Sequence, residues 1–166
     1  NMVTGSLVED NVFHTLHVPI ALEGGPSGNV IAYNFVGNVQ YSDPEWSQPA
    51  FVEHAPHPIM NLVEGNWFEA KIMADDYWGS GSHNTYFRNR VFHPASRGWS
   101  YGTWVMDIYK GHHYENIVGN VLGSTGYETI YEAENDTFPY YLGKLIYKLG
   151  YSGGGDSSPS GNDPMV

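Results

Sequence analysis

Asp75 and Asp76 stand side by side, Tyr77 and Trp78 follow, and His83 and Arg88 come a few residues later. Carboxylates beside aromatic rings are the parts of a glycosidase. Inversion needs two of them about 6.5–9.5 Å apart and retention about 5–5.5 Å. Neighbouring residues of an extended segment point to opposite faces, so only one of the pair can face a groove. The partner must then be Glu53, Glu64 or Asp107. The alternative is a turn in which Asp bonds to nearby backbone. A polysaccharide lyase would need a base and charge neutralisation, work that His83, Arg88 and Tyr77 could share. Ca²⁺ held by Asp75 or Asp76 would be the cation in that case. The structural alternatives are that Arg88 and Arg90 pair with acids and that His83 donates to a turn carbonyl.

Sugar rings offer apolar C–H faces, which Trp and Tyr suit. Trp46 with Tyr41, His54 and His57 lies in one long stretch, and Trp99, Tyr101 and Trp104 with Arg97 in another. Together with Tyr77 and Trp78 these are the candidate sugar contacts. The alternative is that they pack the loops onto the rest of the fold. His54, His57 and Glu53, and the pair His112-His113, are metal ligands by residue type only. Pro56 and Pro58 prevent a regular helix there, so no metal site is expected. The chain has no Cys, no phosphate-cradling glycine loop at "GGPSG" (24–28) and no Ser nucleophile elbow.

The elements that must hold these residues repeat. Aligning on Asn11, Asn34, Asn66, Asn89 and Asn120 brings together "SLVEDNVF" (6–13), "NVIAYNFV" (29–36), "NLVEGNWF" (61–68), "NTYFRNRV" (84–91) and "ENIVGNVL" (115–122). An apolar residue stands three before and two after each Asn. The steps are 23, 32, 23 and 31 residues, as expected for a solenoid coil with two loop-sized insertions. Short β-branched and aromatic segments between Gly, Asn, Asp and Pro are strands rather than helices. A parallel β-helix of about five coils follows, all-β, with coils stacked about 4.8 Å apart. Stacked Asn side chains would hydrogen-bond up and down one column, each at a bend where Asn tolerates left-handed backbone. The insertions, around 40–57 and 93–113, sit two coils apart. They would wall a groove about 10 Å wide, floored by 70–83. One position after each repeated Asn, Val12, Phe35, Trp67 and Val121 are apolar and Arg90 is not. That stripe is expected to be covered, by protein more readily than by sugar.

"GNVIAYNFV", "MNLVEGNWFEAKIMADDYWGSGSHNTYFRNRV" and "YENIVGNVLG" resemble secreted bacterial right-handed parallel β-helix proteins of the pectate-lyase-like superfamily. The resemblance spans about residues 5–125. It implies a right-handed β-helix outside the cell. It also implies an association with polysaccharide, as a polysaccharide lyase, a glycoside hydrolase, a tailspike-type depolymerase or a non-catalytic surface protein.

Coils are expected over 1–127, a packing or capping segment over 128–151, and a Gly/Ser-rich linker over 152–166. Asn135-Asp136-Thr137 is a glycosylation sequon. The early start of the first repeat suggests a piece of a longer chain. Eighteen acidic against seven basic residues give a net charge of −11, which opposes nucleic-acid binding. No apolar run is long enough to cross a bilayer. The partners expected are a polysaccharide or glycan and, through the apolar stripe, copies of the chain or other parts of its parent.

Overall fold

The computed structural model describes residues 3–54, 56–132 and 144–151. It is a right-handed parallel β-helix whose coils turn through three parallel sheets. The first sheet stacks Leu7–Glu9 (β1), Val30–Ala32 (β4), Leu62–Glu64 (β7), Thr85–Phe87 (β10) and Asn116–Val118 (β13). The second stacks Val12–His14 (β2), Phe35–Gly37 (β5), Trp67–Glu69 (β8), Arg90–Phe92 (β11) and Val121–Leu122 (β14). The third runs from Ile20–Leu22 (β3) through Phe51–Glu53 (β6), Ile72–Ala74 (β9) and Trp104–Tyr109 (β12).

The third sheet departs from sequence order at its far edge. Ile130–Glu132 (β15) does not pair with β12. Leu145–Tyr151 (β16) lies between them, parallel to both. The segment expected to pack along or cap the coil supplies both of these strands. The tail beyond 151 and the sequon at 135–137 lie outside the described residues.

Register puts the repeated apolar residues in columns. Val8, Ile31, Val63, Tyr86 and Ile117 stack in the first sheet, and Phe13, Val36, Phe68, Val91 and Leu122 in the second. The middle members of both columns are buried and the end members partly so. Each fully buried side chain is worth about 1.5–3 kcal/mol, so the interior holds mainly at coils two to four.

Two residues turn the chain from the first sheet to the second in every coil. The second is the repeated Asn. The first carries the left-handed backbone: Asp10, Tyr33, Gly65, Arg88 and Gly119 have φ of 56°, 54°, 65°, 56° and 65°. The bend therefore strains the residue before the Asn and leaves the Asn free to bond. Gly65 is also required by space, because a Cβ there would fall 2.5 Å from the Tyr33 ring.

The Asn residues form the expected ladder. Asn11 Nδ2 donates to Asn34 Oδ1 at 3.0 Å, Asn34 to Asn66 at 3.0 Å, Asn66 to Asn89 at 2.9 Å and Asn89 to Asn120 at 3.1 Å. Each accepting oxygen also takes the backbone N–H of the Asn one coil earlier. A second ladder stands five residues earlier in each coil, at Asn29, Asn61 and Asn84, and ends on Glu115. It follows another left-handed column, Gly5, Gly28, Met60, His83 and Tyr114.

Candidate functional site

Between the second and third sheets the turns differ from coil to coil. Coil three crosses with Ala70 and Lys71 alone, whereas coils two and four carry 38–50 and 93–103. The two insertions do emerge from the same side, but they do not stand apart. Trp46 and Tyr101 pair as a parallel bridge. Ser47 N–H donates to the Tyr101 carbonyl at 3.1 Å, and Ser100 Oγ to Glu45 Oε2 at 2.8 Å. Coil three has nothing at this corner to hold the insertions open, so they close over it.

Lys71 lies beneath that roof, fully buried. Its Nζ is 4.4 Å from the centre of the Trp46 ring and 4.8 Å from that of Trp104. Asp107 Oδ2 is 3.9 Å away, and Lys148 reaches Asp107 Oδ1 at 3.4 Å. Burial lowers the Lys71 pKa to about 8 against the pull of Asp107.

Outside the roof, over the outer face of the third sheet, is a cleft of about 380 Å³. Five aromatic side chains line it: Tyr41, Trp46, Tyr77, Tyr101 and Tyr109. Asp43 and Gln48 supply polar groups, and Met73 rises from the sheet. Four of the expected sugar contacts, Tyr41, Trp46, Tyr77 and Tyr101, are therefore brought together. Trp104 is buried behind Trp46, edge-on at 6.2 Å. Trp99 is buried elsewhere, with its ring against His93 and Arg97 and its carbonyl taking the Tyr127 hydroxyl. Trp78 is exposed and does not line the cleft.

The expected catalytic residues scatter. Asp75 is buried, with Oδ2 at 2.5 Å from His54 Nδ1 and Oδ1 accepting the Tyr77 N–H at 3.2 Å. Burial raises its pKa and the His54 bond partly restores it. Calcium on Asp75 would have to displace those partners. Asp76 is half-buried in the turn that follows, its carbonyl accepting the Gly79 N–H. His83 is a left-handed turn residue whose ring lies against Tyr114. Arg88 occupies the other corner and covers the Phe87 ring. Arg90 does not pair with an acid among the described residues. It donates to the carbonyls of Val121 and Gly123.

Of the three acids expected to complete a pair, Glu64 faces Tyr33 on the first sheet and Asp107 lies with the lysines. Glu53 points into the core, taking the Tyr86 hydroxyl at 2.8 Å and Asn84 Nδ2 at 3.1 Å. What the spacing of residues could not reveal was the His54–Asp75 contact, which joins ends of adjacent strands 21 residues apart.

Glu53, His112 and Glu115 bring one ligand atom each within 4.8 Å of the others. A metal could use such a trio, but its atoms are already engaged. His112 Nδ1 accepts the Gly81 N–H at 3.1 Å and Nε2 donates to the Asp75 carbonyl at 2.8 Å. Both bonds fit a neutral ring, and burial lowers its pKa. Glu115 accepts the Asn84 N–H and Nδ2 as a ladder Asn would. Burial raises Glu115 to about 7 and pushes Glu53 well above the usual carboxylate range. The cluster ends the second ladder, and burial favours the neutral form of each of its members.

Among the described residues no helix is long and apolar enough to cross a membrane. Comparison with family models, with curated proteins and with solved structures returned no match for this chain, so its fold and its cleft stand on their own geometry.

Proposed function

We propose that this β-helix is an extracellular carbohydrate-contacting domain related to the pectate-lyase-like proteins, and that it holds glycan in the aromatic cleft over the third sheet. One observation carries the reading. Five aromatic rings from four separate stretches converge with Asp43 and Gln48 on one cleft. Aromatic faces with a few hydroxyl-directed polar groups are the chemistry of sugar recognition. The function is binding. A hydrolase would need a second carboxylate beside Asp43, and the described lining residues offer none.

The test is gel retardation in a panel of polysaccharides, scored also for new reducing ends and ultraviolet-absorbing products. The wild type should be retarded without forming products. Tyr77 is 64 % exposed, so Tyr77→Ala should leave the fold intact. Losing one stacked ring should weaken retention about tenfold. Full retention by Tyr77→Ala, or none by the wild type, would overturn the proposal. New products would make the domain an enzyme.

A second reading rests on the outer face of the second sheet. Val12, Phe35 and Trp67 stand in one exposed row that Arg90 separates from Val121, with Val12 74 % and Val121 61 % exposed. Such a row suits contact with another chain. Sedimentation that finds a monomer unaffected by Trp67→Ser would remove this reading.

A further inference from the structure

We infer that the cleft takes uncharged glycan and turns away polyuronate. This rests on the carbohydrate reading above and narrows it.

Among the described residues, and setting aside the tyrosines, the one ionisable side chain lining the cleft is Asp43. It is fixed there: Oδ1 accepts the Glu45 N–H at 3.0 Å and its carbonyl accepts the Trp46 N–H. A sugar hydroxyl can donate to this carboxylate, whereas a uronate carboxylate meets it as a like charge. Two unit charges about 5 Å apart in a partly wet cleft repel by enough to cost about tenfold or more in affinity.

The chain's own cations do not offset this. None of the seven basic residues lines the cleft. Lys71 and Lys148 share Asp107 behind the Trp46 and Tyr109 rings, so a uronate could approach them only through those rings. Arg97 is bound to Glu69 at 3.2 Å and to Asn38 Oδ1 at 2.5 Å. Arg88 and Arg90 lie around the corner, at the turn between the first and second sheets and on the second sheet. The net charge of −11 adds a field of the same sign as a polyuronate.

What remains suits a neutral ring. Trp46 lies against Lys71 on its buried side and Tyr101 at 5.3 Å, so this platform is ordered before any ligand arrives. Gln48 and the hydroxyls of Tyr41 and Tyr77 can donate and accept toward sugar hydroxyls.

The experiment is affinity electrophoresis of the whole chain against neutral glucan, mannan and galactan, and against polygalacturonate and alginate. EDTA is present to remove bridging cations. Runs at physiological and at raised salt separate the long-range field, which screening removes, from the charge in the cleft. At least one neutral polymer should bind about tenfold or more tighter than either polyuronate at both salts. Asp43→Asn, which can keep the turn, should narrow that ratio at least about threefold. Polyuronate bound as tightly as the best neutral polymer overturns this inference and leaves the carbohydrate reading standing. An unchanged ratio in Asp43→Asn overturns the role of Asp43. No binding to any polymer overturns the carbohydrate reading itself.

Discussion

The corner between the first and second sheets and the corner between the second and third bend the same chain by opposite means. The first spends two residues in every coil, one left-handed and one Asn, and closes with bonds between like side chains. The second uses 15–19, 38–50, 70–71 and 93–103 in successive coils. It closes with contacts between unlike ones: Lys71 under two Trp rings, Arg97 on Glu69, Trp46 beside Tyr101. The ladder corner carries no buried charge. The irregular corner carries buried Lys71 and His93, other buried ionisable groups (Glu53, Asp75 and His112) lie where the third sheet turns back to the first, and the cleft lies over the third sheet. Regularity holds the coil, and departures from it make a surface that something else can recognise.

The largest effect should come from the ladder. Asn66 is buried, and four bonds meet at its side chain: it receives Asn34 N–H and Nδ2, and donates to Asn89 Oδ1 and the Ile31 carbonyl. Asn66→Ala leaves those groups buried without partners, at about 1–3 kcal/mol for each one not rescued by water. A loss of about 4 kcal/mol in urea unfolding is expected. A loss under about 1 kcal/mol would show that the ladder is not what holds this corner.

Glu115, where the second ladder meets the irregular side, should come next. The folded protein raises its pKa from 4.5 to about 7, so the folded state keeps a proton that the unfolded state releases. The stability that this group contributes is complete below pH 4.5 and is lost as pH rises to about 7. Glu115→Gln retains an acceptor for Asn84 and removes that loss. The variant should gain on the wild type across this window, by about 3 kcal/mol at pH 8. Parallel pH profiles of the two would contradict the assignment.

The smallest effect at neutral pH should be that of Lys71→Met. Methionine keeps a flexible stem against Trp46 and Trp104, and Lys148 remains on Asp107, so a change of about 1 kcal/mol is expected at pH 7. The diagnostic is the trend. With its pKa lowered from 10.5 to about 8, Lys71 sheds its proton earlier in the folded state, so wild-type stability relative to the variant rises between pH 8 and 10.5. A flat difference over that range would mean that Lys71 is less buried than described.

The difference between the corners also explains what could be read in advance. The ladder corner repeats, so aligning Asn34, Asn66 and Asn89 was enough to expect parallel sheets, apolar columns and stacked amides. Even there the left-handed residue was misplaced by one, because tolerance of that backbone was assigned to Asn when Tyr33 and Arg88 adopt it. The insertions do not repeat. Trp46, Tyr77 and Tyr101 could be chosen as sugar contacts by residue type, but their meeting depends on Trp46 pairing with Tyr101 across coil three. Nothing local marks that pairing, nor the His54–Asp75 contact, nor the place of β16 between β12 and β15. His83 and Arg88 stand out by residue type, and the fold puts both at left-handed turn positions.

Amide hydrogen exchange, followed residue by residue, tests the contrast most directly. The backbone N–H groups of Asn34, Asn66 and Asn89 each donate to a ladder oxygen and should exchange only with global unfolding, while those of 40–50 and 93–103 should exchange through local opening. Ladder amides that exchange as fast as those of the two insertions would contradict the account.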